Sequence, residues 1–85
     1  MKLEIFAVFD SKAAAFMSPF LMNNAAVATR AFQETCNDAT TQFNKHPEDF
    51  TLYSLGFFED TLGTFTINDK HLPLVTAASL KESAQ

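Results

Sequence analysis

The sequence is poor in the features that most readily announce a function. Its 85 residues include no tryptophan, one tyrosine, two glycines, three prolines and a single cysteine. With only Cys36, no internal disulfide can form. A structural zinc site normally takes four Cys or His ligands. Here Cys36, His46 and His71 are the only candidates, and they lack metal-type spacing. Gly56 and Gly63 stand apart and do not make a phosphate-cradling loop. No apolar run approaches the ~20 residues of a membrane span. The opening residues, already acidic at Glu4, lack the form of a signal peptide. A lone thiol suits a reducing compartment, so a cytoplasmic location is expected. Basic residues are scarce too: six against ten acidic ones, for a net charge of -4. That balance disfavours generic phosphate-backbone binding, which needs a basic surface. It still permits a local basic patch or a basic protein partner.

What the chain has in quantity is phenylalanine, ten in all. A hydrophobic content of 47% against 19% charged residues indicates a folded domain. Chains this short bury only about 60–65% of the surface exposed when unfolded. They commonly need a disulfide, a metal or a partner copy. With the first two ruled out or disfavoured, a homo-oligomer is expected, and no cofactor is.

The run Leu3-Glu4-Ile5-Phe6-Ala7-Val8-Phe9 is β-branched, aromatic and apolar at nearly every position, as in a central strand. Residues 13–22 are harder to place. Ala13, Ala14 and Ala15 favour helix, but Pro19 holds Ser18 extended and removes a donor. Phe16, Met17, Phe20, Leu21 and Met22 are too apolar for a free loop. They read as an extended or irregular strand along the core, or at a protein interface. Asn23 and Asn24 signal a helix start, and Ala25, Ala28, Phe32 and Cys36 recur on one helical face. Residues 37–49 are polar and read as an exposed loop. Residues 50–58 and 62–67 read as two strands. Between them, Asp60 and Gly63 match a type I turn with glycine in the left-handed position. Asn68, Asp69 and Lys70 suggest a further turn, and residues 71–76 a short extended edge.

The expected fold is α+β: a small antiparallel sheet, with a β-hairpin in the C-terminal half, packed against one α-helix of about residues 24–37. Residues 1–76 would form one domain, and residues 77–85 a frayed or weakly helical tail.

Enzyme chemistry has little support. A Cys–His pair would need Cys36, which lies on the apolar helix face, where a free cysteine usually acts as a small hydrophobe. His46-Pro47-Glu48-Asp49 places an imidazole beside two carboxylates, a base with an orienting acid. The plainer reading is a solvated loop. Binding is the better class. Single-stranded nucleic acid is held by aromatic faces beside cations. Candidates are Lys2, Phe6, Lys12, Arg30, Lys45, His46, Tyr53 and Phe57. Tyr53, Phe57 and Phe65 would share one hairpin face. Phe16, Met17, Phe20 and Leu21 are candidates for an interface, where aromatics are enriched.

Two stretches add a resemblance. The first runs from Met1-Lys2-Leu3-Glu4-Ile5-Phe6-Ala7-Val8-Phe9-Asp10-Ser11-Lys12-Ala13 to Phe16-Met17-Ser18-Pro19-Phe20. The second is Phe43-Asn44-Lys45-His46-Pro47-Glu48-Asp49-Phe50-Thr51-Leu52-Tyr53, with Leu55-Gly56, Phe58 and Asp60-Thr61-Leu62-Gly63. Together they resemble the small nonstructural protein of gokushovirus-type microviruses, which are single-stranded DNA bacteriophages. The resemblance implies a protein made in the bacterial cytoplasm during infection and absent from the mature virion. It implies a role in viral DNA replication, single-strand synthesis or packaging. It carries no catalytic motif. Expected partners are a second copy, single-stranded viral DNA, and a replication initiator or procapsid protein. No membrane partner is expected.

Overall fold

In a computed structural model, which describes residues 1–81, five antiparallel strands form a curled half-barrel sheet with small helices against it. In chain order these are β1 (Lys2–Asp10), β2 (Ala15–Phe16), β3 (Phe20–Met22), α1 (Ala25–Cys36), α2 (Gln42–Lys45), a 3-10 turn (Pro47–Asp49), β4 (Phe50–Glu59), β5 (Thr64–Thr76) and α3 (Ala77–Leu80). The sheet order is β2-β1-β4-β5, and β3 lies on the same side of β1 as β2. No described helix is long and apolar enough to cross a membrane.

The expectation of a sheet on one helix is therefore corrected. Strand makes up 46% of the described residues and helix 28%, the latter divided among several short pieces. The reason lies in residues 37–49, which do not form a loose loop. The last carbonyls of α1 have no partner within the helix. Polar residues just beyond it supply those partners. Thr41 donates to Thr35 O at 2.8 Å, and Asn44 Nδ2 donates to Cys36 O at 2.9 Å. The same Thr41 caps α2 by accepting from Asn44 N. The fold-back inserts Phe43 between Phe32 and Phe50, with ring centroids 5.4 and 4.7 Å away.

The other elements follow from local chemistry. Asn24 Oδ1 accepts from Val27 N at 2.9 Å and starts α1. Ala28, Phe32 and Cys36 form its buried stripe. With Phe6, Val8, Phe50, Leu52 and Ala77 they make the core. β2 and β3 run antiparallel to β1 with the irregular Ser18-Pro19 between them. Pro19, lacking an N–H, sits where the pairing is interrupted. Ala77, expected in a weak tail, is fully buried and begins α3, which Thr76 caps through Ser79 N. Residues 82–85, the rest of that expected tail, lie outside the described residues.

β5 differs from expectation as well. Residues 68–70 do not reverse the chain. Ser54 pairs with Leu72 and Gly56 with Ile67, so Leu55 alone faces residues 68–71. Those four residues bow out of the ladder, held by Asn68 Nδ2 donating to Ser54 O at 3.4 Å. The strand then resumes to Thr76 as the sheet edge.

Candidate functional site

The helices cover only one face of the sheet. Cross-strand partners share a face, so the register assigns each side chain. Phe6, Val8, Leu52 and Ser54 face α1. Ile5, Ala7, Phe9, Phe16, Leu21, Tyr53 and Pro73 take the opposite face. The buried helical residues Ala28, Phe32, Cys36 and Ala77 all belong to the first set's core. On the second face Ile5 and Ala7 are buried as well, outside that core cluster.

Four rings gather there. Phe16 lies 4.9 Å from Phe9, 5.3 Å from Tyr53 and 5.4 Å from His71, all edge-to-face. Phe9 and Tyr53 close the group at 6.2 Å. Phe16 is 39% exposed, and His71 is exposed too. Lys12 stands in the β1–β2 turn, and Lys70 precedes His71 in the outward bow. The side chains in this cluster are aromatic, and none carries a carboxylate.

A second feature lies on the helix side. Val8, Met17, Ser18, Phe20, Met22, Ala31, Phe32, Thr35 and Phe43 line an open pocket of about 310 Å³. Its walls are mostly apolar, drawn from β1, β3, the Met17–Ser18 link, α1 and Phe43.

The candidate residues therefore do not form one site. Phe6 is 0% exposed and stacks on Phe20 at 5.8 Å within the core. Lys2 lies 5.8 Å from the Phe57 ring, near the far end of β1. Lys12 and His46 line a small depression with Asp10, Gln42, Asp49 and Phe50. Lys45 precedes His46 at the end of α2, and Arg30 is exposed on α1. Tyr53 belongs to the aromatic cluster. The interface candidates divide likewise: Met17 and Phe20 line the apolar pocket, while Phe16 and Leu21 take the opposite face. Strand alternation separates neighbours that the sequence presents as one apolar run.

The bulge at Leu55 separates another expected group. One extra residue on β4 reverses the alternation beyond it. Phe57 then pairs with Glu4 on the helix-side face, away from Tyr53, whereas Phe58 pairs with Leu3 and Phe65. Tyr53, Phe57 and Phe65 do not share a face, because Phe57 is turned away. Missed in the sequence was His71 as a neighbour of the cluster. The His71–Phe16 contact spans 55 residues of chain, and no local pattern signals it.

His46, Glu48 and Asp49 each bring a possible ligand atom within 4.8 Å of the others. Donors of that type suit a hard or borderline divalent ion. All three are exposed or half-exposed, and they belong to the short turn before β4. Elsewhere, the Met1 ammonium donates to Glu59 Oε1 and Asp60 Oδ1, both at 2.7 Å. That ammonium, helped by the Thr61 backbone N–H, holds the Glu59 carboxyl down to about 2. Burial pushes the Cys36 thiol above its ordinary value. Thr40, donating through hydroxyl and backbone to Asp38, lowers that carboxyl.

The molecule is thus a small antiparallel half-barrel whose second sheet face buries Ile5 and Ala7 and carries a partly exposed aromatic cluster. The family model described as Phage ORF5 protein matches residues 3–80, nearly the whole chain, and the chain belongs to that family of bacteriophage proteins. Searches of curated proteins and of solved structures return no match.

Proposed function

We propose that this phage protein is a non-enzymatic accessory of viral DNA replication, single-strand synthesis or packaging, working in the bacterial cytoplasm. It holds single-stranded DNA on the cluster of Phe9, Phe16, Tyr53 and His71. The observation that supports this reading is the placement of partly exposed rings on the sheet face away from the helical core, with Lys70 next to His71 in the chain. Every base has a π face, so such a platform tolerates any sequence. The net charge of -4 makes the binding depend on stacking more than on phosphate contacts. The resemblance to gokushovirus-type proteins supports the same reading.

A mobility-shift titration with a single-stranded oligonucleotide at two salt concentrations tests it. Stacking contributes about 1–3 kcal/mol per base. Phe16→Ala or Tyr53→Ala is therefore expected to weaken binding roughly 5- to 150-fold. Absence of any shift at low salt with tens of micromolar protein removes the reading.

The apolar pocket favours a second reading, a module that engages a replication initiator or procapsid protein without touching DNA. A pocket of about 310 Å³ is at the small end for a ligand site and accommodates one or two apolar side chains of a partner. No DNA shift, together with a co-purifying viral protein, selects this second reading.

A further inference from the structure

We propose that two copies of the chain associate through the apolar face of the sheet's far end, where Leu3, Phe58, Phe65 and Ile67 line up. The inference rests on different residues from those proposed to hold DNA and does not depend on DNA binding. Beyond the bulge, β1, β4 and β5 form a three-stranded arm of an elongated molecule, 47 × 24 × 18 Å overall. Its strands alternate cleanly. One face carries Lys2, Glu4, Phe57, Glu59, Thr64 and Thr66, and the other carries Leu3, the buried Ile5, Phe58, Phe65 and Ile67. Phe58 and Phe65 touch across the strands at 4.8 Å. Alternation of this kind marks a sheet solvated on one side and covered on the other. Yet no described helix of the chain covers the apolar side: Phe65 is 63% exposed and Ile67 55%.

Charge and area point to a second copy as the cover. At a net charge of -4, two copies repel wherever carboxylates meet. The strand carboxylates Glu4 and Glu59 lie on the reverse side of the arm, and its apolar face has no ionisable strand residue. Two copies can meet there without opposing like charges, whereas a nucleic acid would find no cation. Leu21 is 41% exposed, Phe65 63% and Ile67 55%, which at ~200 Å² for a whole large apolar residue is about 300 Å². A standard interface buries about 800 Å² per partner, some 60% of it apolar, so these three side chains supply about two thirds of the apolar share. A patch that meets its own copy does so about a two-fold axis.

Sedimentation equilibrium of the full chain at tens of micromolar tests this. The expected mass is twice 9.4 kDa. Phe65→Lys or Ile67→Lys is expected to return it to the monomer value, with far-UV circular dichroism unchanged. Thr66→Lys, on the same strand but the opposite face, is expected to remain dimeric. A monomeric wild type, or a Thr66→Lys chain that dissociates as readily as Phe65→Lys, overturns the proposal. Should the charged variants unfold, maleimide labelling of Ile67→Cys and Thr66→Cys gives a second readout. Protection of the Ile67→Cys thiol that is lost on dilution, with Thr66→Cys labelled freely throughout, supports the dimer. Equal labelling of both overturns it.

Discussion

Adding one methyl group at Gly56 is expected to cost more than a conformational argument alone would suggest. A Cβ built there would lie 2.2 Å from Thr66 O and 2.8 Å from Ile67 Cα. Both are backbone atoms of β5, so no side chain can rotate aside. Restoring ordinary contact of about 3.5 Å requires β5 to withdraw by roughly 1 Å. That movement breaks or lengthens about two or three ladder hydrogen bonds, each worth ~1 kcal/mol net. With the lost packing of Ile67 and Phe65, Gly56→Ala should cost about 2–4 kcal/mol. For a domain of this size, each kcal/mol moves Tm by about 4–8 °C. Total stability at this length is only about 4–13 kcal/mol, so the variant approaches the threshold of folding. Gly63 supplies the control. Its φ is 68°, but nothing lies within 4 Å of an added Cβ. Gly63→Ala therefore carries only the left-handed backbone penalty, about 1–2 kcal/mol. Urea melts of wild type and both variants, run at one protein concentration, give the ordering. A Gly56→Ala chain within 0.5 kcal/mol of wild type, or less affected than Gly63→Ala, refutes the account of the bulge.

The Met1–Glu59 pair predicts an acid limb in stability. A carboxyl whose folded value lies near 2, against 4.5 ordinarily, stabilises the fold fully above 4.5 and loses that contribution as pH falls towards 2. Across this window the wild-type urea midpoint should fall more steeply than that of Glu59→Gln, and parallel slopes would exclude the pairing. Cys36 is buried, with its thiol pushed up by desolvation. At pH 8 a thiol reagent should therefore label it only as the chain unfolds, and rapid labelling of the native protein would contradict its place in the core.

The elements most legible in the sequence were those set by nearby residues. Asn24 and the Ala28-Phe32-Cys36 stripe define α1 through capping and periodicity, and both are seen. Gly63 takes the left-handed conformation that the turn reading requires. Ser18-Pro19 interrupts the extended segment between β2 and β3. Residues 37–49 were misread because their polarity looked like solvation. In fact Thr41 and Asn44 turn inward to the end of α1, and Phe43 follows them into the core. Asn68-Asp69-Lys70 has the composition of a turn, but the chain bows out and continues along β4. The candidate site was the least legible part. Whether Phe57 or Phe58 joins the face of Tyr53 depends on a one-residue bulge at Leu55, and no composition rule announces a bulge in so apolar a strand.

The outward bow at residues 68–71 has a consequence for the long outer strand. A straight strand of 13 residues at a sheet edge would offer a continuous row of unpaired N–H and C=O groups, on which another chain could grow a fibril. The bow cuts that row into two short pieces, 64–67 and 72–76, and a further register shift at Leu74 breaks the latter again. Pro73 removes a donor from the second, and Lys70 puts a charge at the break. Each remaining piece is too short to template another chain, so growth of a fibril along this edge is disfavoured.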